Sequence, residues 1–194
     1  MKYSAKRPVP PALRAWLGLA NADWTPNYGD FQNPEKDTTH KSLLEEQGFV
    51  CAYCGRALKA DRSDSHIDHF WPQKHFPDRA LDYTNMVASC GPPKVKKEDA
   101  MSTCGDAKGN WFDPKNVDLF PWLMGCEQRF RYLGGGGVDV VQSQDRLAST
   151  IIIKLNLNNA ALKEERKRII TALEQDIVEG MITKANKSQE IARW

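Results

Sequence analysis

The run Ser65-His66-Ile67-Asp68-His69-Phe70-Trp71-Pro72 sits between two cysteine pairs, Cys51/Cys54 and Cys90/Cys104. A carboxylate followed directly by an imidazole suits hydrolysis of a phosphodiester. Asp68 would hold a divalent cation, Mg²⁺ or Mn²⁺, against a phosphate, and His69 would take a proton from the attacking water. An ordinary imidazole pKa near roughly 6.5 fits that task at neutral pH. Neighbours on a regular strand point to opposite faces, so the strand must bend or widen if both are to serve one site. Pro72 is consistent with a strand ending there. His66 shares a strand face with Asp68 and could touch metal or substrate, or simply pack.

In Cys51-Ala52-Tyr53-Cys54-Gly55, two residues between the thiols let both sulfurs reach one tetrahedral ion, and Gly55 permits the turn beneath it. Cys90 and Cys104 have 13 residues between them. That half of the site needs an inserted loop whose ends return together. A structural zinc ion on Cys51, Cys54, Cys90 and Cys104 is the expectation, adding folding energy to a module with little core of its own. Cys126 reads as a buried free thiol, or as a replacement for Cys104 if the loop is unusual. A redox Cys-x-x-Cys is the competing reading, but no thioredoxin-like strand–helix context surrounds it.

The elements that must position these residues are partly legible. Residues 1 to about 36 carry five prolines and read as an irregular arm, with Leu13, Trp16 and Leu17 as a short apolar patch that could form one helical turn or two. Asp37-Thr38-Thr39-His40 offers N-cap chemistry for a helix running to about Gln47. Phe130-Arg131-Tyr132 and Val138-Asp139-Val140-Val141 flank four glycines and predict a hairpin. The glycines are a turn rather than a phosphate cradle, because a strand follows them and not a helix. Leu147, Ile151, Ile152 and Leu155 predict one helix, although Ile151-Ile152-Ile153 is locally strand-like. Leu162, Ile169, Leu173, Ile177 and Met181 predict another, from Asn158 or Asn159 to about Gly180. On it, Lys163, Arg166, Lys167 and Arg168 read as a solvated face, with phosphate contact as the alternative.

With 194 residues, 41% hydrophobic and 27% charged, the composition is that of an ordinary soluble globular chain. A net charge of only +2 gives no global electrostatic case for nucleic-acid binding. Local groups would have to supply it, and Lys74, His75, Arg79, Lys94, Lys96, Lys97 and Lys108 are candidates for backbone phosphates. No apolar run approaches the roughly 20 residues of a membrane span, and no signal peptide is evident. A cytoplasmic protein with reduced thiols is the expectation.

From Cys51 to about Gly109 the chain resembles the HNH endonucleases, the ββα-metal nuclease family. The matching pieces are Cys51-x2-Cys54, Ile67-Asp68-His69, Pro72, Asp82-Tyr83-Thr84-Asn85-Met86, Cys90 and Cys104-Gly105-Asp106-Ala107-Lys108-Gly109. The resemblance implies that Asp68 is a metal ligand, that His69 is the general base, and that Asn85 fixes the loop between two strands and so orients His69. It also implies that Cys104 to Gly109 opens the helix completing the metal site. Many members carry His or Asn directly after the last cysteine, where this chain has Gly105. Asp106 is the nearest replacement and suits a hard cation. The fold expected is α+β: a zinc-stabilised ββα-metal core over 49–112, an N-terminal arm and helix over 1–48, and a hairpin plus two helices over 113–194.

A narrower resemblance covers most of the chain. Gly48 to Cys54, His66 to Pro72 and Cys104-Gly105-x-x-Lys108-Gly109-Asn110 are similar to the PtuB-type HNH subunit of Septu and retron-associated anti-phage systems. It implies a DNA-cutting effector controlled by an ABC/SMC-like ATPase subunit of the PtuA type, with 113–194 as a docking region. An RNA-cutting (tRNA) variant and a catalytically silent zinc-ribbon adaptor are the alternatives. His66, Lys74, His75 and Lys108 are then the expected nucleic-acid contacts.

Overall fold

Ser65–His69 (β1) and Met86–Cys90 (β2) pair antiparallel, with His66 opposite Ser89, Asp68 opposite Val87 and His69 opposite Met86. The computed structural model describes residues 1–91 and 102–181. Every residue of β2 is buried, as its short continuous apolar run implies. Its outer edge is closed by the buried Gln47 amide. That amide accepts from the Ala88 N–H at 2.7 Å and donates to the Ala88 carbonyl at 2.9 Å. The Ala52 N–H adds a bond to the same carbonyl. Backbone groups that an edge strand would leave open are thereby satisfied.

The arm is less irregular than its prolines suggest. Pro11–Leu17 is a helix (α1) with Pro11 at its first position, where a missing N–H costs nothing. Leu13 and Phe31 are fully buried, and α1 packs on the next helix. That helix, Glu35–Glu46 (α2), starts before the expected cap at Asp37. Pro34 sets the entry, and Glu35 and Asp37 stand in the first turn, where the helix dipole favours carboxylates. A buried ion pair, Lys6 Nζ to Glu46 Oε1 at 2.8 Å, ties the arm to α2. Lys6 also donates to the Met86 carbonyl at 2.6 Å, which carries the tie on to β2.

After β2 comes a short helix, Cys104–Lys108 (α3), packed on β2. Phe130–Tyr132 (β3) and Val138–Val140 (β4) form a second two-stranded sheet. Arg146–Lys154 (α4) follows, its N-terminus capped by Asp145, which accepts from the Ala148 N–H at 3.0 Å. The cap and the alternation of buried Ile151 and Ile152 with exposed Ile153 explain why the isoleucine run is helical here. Ala160–Val178 (α5) is capped by Asn159. The architecture is mixed α+β with two small sheets. One contiguous core takes residues from each expected segment, among them Leu13, Tyr53, Met86, Leu119 and Ile151. No described helix is long and apolar enough to cross a membrane.

Candidate active site

The four cysteines converge although they come from three places: the turn before β1, the end of β2 and the start of α3. The Sγ atoms of Cys51, Cys54, Cys90 and Cys104 all lie within 4.8 Å of one another, and all four residues are buried. Metal–sulfur bonds of about 2.3 Å in a tetrahedron put sulfurs roughly 3.8 Å apart. Cys54 and Cys90 show that spacing, 3.8 Å. The Cys90 N–H also points at the Cys51 sulfur, 3.4 Å away, a contact that suits a thiolate. The group could hold a metal ion such as zinc. Cys104 completes it with a positive φ of 55°, its N–H bonded to the Leu155 carbonyl at 2.8 Å. Cys126 stands apart, its thiol 3.9 Å from the Pro121 carbonyl, and does not replace Cys104.

Asp68 lies on the β1 face towards α3. Its Oδ2 accepts the Tyr53 hydroxyl at 2.5 Å and stands 3.3 Å from the Lys108 ammonium. Neither interaction uses Oδ1. Burial, reinforced by the Asp68 charge, pushes the Tyr53 phenol well above its usual range, so it is a neutral donor. Gly105 backs the carboxylate: a Cβ there would lie 2.8 Å from Asp68 Cγ and 3.0 Å from Ser89 Oγ. A side chain at 105 has no room.

His69 ends β1, and both its ring nitrogens are engaged. Nε2 is 2.9 Å from the Ala80 carbonyl, which can only accept, so Nε2 carries the proton. Nδ1 then accepts from the Gln73 amide at 2.9 Å. The Tyr28 ring, delivered by the arm, meets the imidazole edge-on at 4.7 Å between centroids. Burial lowers the His69 pKa below 6.5 and favours the neutral ring. Asn85 is buried in the loop joining the strands. Its side chain accepts from the Trp71 N–H at 2.7 Å and donates to the Trp71 and Arg79 carbonyls, both at 3.0 Å. It thus pins both ends of the segment that carries Gln73 and leads into Ala80.

A cleft of about 330 Å³ opens over these groups, lined by His66, Asp68, His69, Gln73, Gly105, Asp106 and Asn110. Asp68 and His69 both line this space although they are neighbours on β1. His66 has Nδ1 3.1 Å from the Gly91 carbonyl, which leaves Nε2 as the lone-pair nitrogen. The Asp106 carboxylate packs against Gly91, whose φ of 121° suits glycine and where any Cβ would collide with it.

Some expected contacts are placed elsewhere. Lys108 does not face solvent for phosphates. It is 5% exposed, and its ammonium donates to the carbonyls of His69 at 2.8 Å and Gly109 at 3.2 Å besides its contact with Asp68. Lys74 and His75 are exposed on the turn after Pro72, beyond the residues lining the cleft. Arg79 lies over the Trp71 ring at 4.3 Å. Lys94, Lys96 and Lys97 lie outside the described residues. On α5, Arg166 is turned inward to the Gly136 and Leu157 carbonyls. Sequence reasoning missed Tyr28, Tyr53 and Gln73. Only Tyr53 carried a local signal, its place between two ligating cysteines. Compared with known proteins, the chain matches no protein-family model and no curated protein.

Proposed function

We propose that the chain is a metal-dependent endonuclease of the HNH type that hydrolyses phosphodiester bonds of DNA. The observation that carries this reading is the pose of His69 in the cleft. Its Nε2–H is anchored on Ala80, and its basic Nδ1 is held by the amide of Gln73, whose side chain lines the cleft. A water displacing that amide would have its proton taken by Nδ1. Asn85 holds the loop and so holds Ala80, which makes it a positioning residue for the imidazole. The order β1, β2, α3 over a four-cysteine group supports the ββα-metal core expected from the motifs. Asp68, with Asp106 and His66 lining the same cleft, would hold the second metal. A hard divalent cation there would supply Lewis acidity to the scissile phosphate. The motif resemblance extends the reading to an anti-phage effector governed by an ABC-like ATPase.

The test incubates the purified chain, alone and with that ATPase, with plasmid DNA and total tRNA in Mg²⁺ or Mn²⁺. A His69→Ala variant runs beside it. Cleavage of DNA that vanishes in the variant, with zinc content unchanged, is expected. Cleavage of tRNA alone would move the substrate to RNA. No cleavage of either polymer under any of these conditions would return the chain to the non-catalytic adaptor.

A further inference from the structure

We infer that Tyr53 and Lys108 form a clamp that sets the affinity of Asp68 for a divalent cation, in opposite directions. The inference rests on the reading of the cleft as a cation site. Both groups bind the same oxygen, Oδ2, at 2.5 Å and 3.3 Å. Gly105 backs the carboxylate, and Oδ1 is the oxygen that neither donor takes, so it is the one a cation would use. Two of the clamp's three parts belong to the cysteine framework. Tyr53 stands between Cys51 and Cys54, and Gly105 follows Cys104. The four-cysteine group therefore does more than support the fold. It carries the hydroxyl and the backbone that aim the Asp68 carboxylate.

The two donors differ in charge. A neutral phenol orients Asp68 without opposing a cation. The buried ammonium also orients it, but places a like charge a few ångströms from any ion on Oδ1. That charge offsets the half-buried carboxylate, and Lys108 is held in place by the His69 and Gly109 carbonyls. Removing the phenol hydroxyl should loosen the ion, whereas removing the ammonium should tighten it. Loss of packing alone would weaken binding in both cases.

The test is Mn²⁺ binding to the zinc-loaded full chain, followed by the electron paramagnetic resonance signal of free Mn²⁺. Wild type, Tyr53→Phe, Lys108→Met and Asp68→Asn are compared, with zinc content and melting temperature as checks of folding. Tyr53→Phe is expected to weaken binding by a few-fold, because only the part of that bond which strengthens when the ion is held enters the affinity. Lys108→Met is expected to tighten it by about tenfold or more. Should the methionine variant fail to fold, Lys108→Gln removes the charge while keeping a donor for the His69 carbonyl. Asp68→Asn should abolish binding. If wild type binds and the variants at 53 and 108 are both unchanged or both weakened, the clamp is wrong while the cleft reading stands. If wild type does not bind Mn²⁺, the cation site itself is wrong and the clamp falls with it.

Discussion

Gly105 and Asp68 approach so closely that a Cβ at 105 would sit 2.8 Å from the Asp68 Cγ. The carboxylate of the candidate site is packed directly on the backbone of α3, one residue beyond a cysteine of the metal cluster. Position 105 is part of the wall of the site. Asp106 and His66 line the same cleft.

Gly105→Ala should therefore displace Asp68, lowering stability by about 1–3 kcal/mol as overpacking does. Gly105→His, which adds a larger side chain at the same place, should be worse and not better. Thermal melts together with Mn²⁺-dependent plasmid cleavage check this. A histidine variant more active than wild type would show that the wall can open.

Serine at Cys51, Cys54, Cys90 or Cys104 should reduce bound zinc well below one per chain and unfold the region around β2. Cys126→Ser should leave zinc intact, because its thiol lies outside the cluster. Atomic emission with far-ultraviolet circular dichroism distinguishes the two behaviours. Chelation of the wild type should follow the first, since ligand-held folding energy is lost with the ion.

His40 is buried with Nε2 3.1 Å from Ser65 Oγ. Burial first, then the charges of Arg62 and His66, depress its pKa from 6.5 to about 4. The fold holds it neutral, whereas the unfolded chain takes up its proton below about pH 6.5. Its contribution is complete above that pH and is lost as pH falls towards 4, by up to about 3 kcal/mol in all. Urea midpoints of wild type and His40→Gln between pH 7.5 and 4.5 should diverge across this window, the variant falling less steeply. Acid release of zinc acts on both and cancels in the comparison, and parallel curves would sink the idea.

The Lys6–Glu46 pair is buried, and Glu46 also accepts from the Tyr83 hydroxyl and the Arg7 N–H. Lys6→Met should cost about 3 kcal/mol by leaving that carboxylate uncompensated. Lys6→Met combined with Glu46→Leu should cost less than the sum of the single changes. Denaturant titration of the three variants gives the coupling. Proteolysis near Arg7 in the single variant would show the arm released.

Short-range patterns in the chain determined a good deal. Two residues between Cys51 and Cys54 commit both sulfurs to one ion, and that constraint is local. The period of Leu162, Ile169 and Leu173 and the cap at Asn159 made α5 legible, as the glycine run did the β3–β4 turn. The adjacency of Asp68 and His69 marked where the chemistry would be. Tertiary structure alone decided what surrounds those two side chains. Lys108 looked like a surface cation because Lys usually is one, yet 39 residues of separation close into its bond with the His69 carbonyl. The arm's prolines hid Phe31 as core and Tyr28 as a neighbour of His69, since apolar contacts that distant leave no periodic trace. Gly105 read as a missing ligand until the strand beside it was placed. Spacing along a chain reports on neighbours within a turn or a hairpin, whereas the charge and steric surroundings of a carboxylate are set by whichever segments the packed core brings against it.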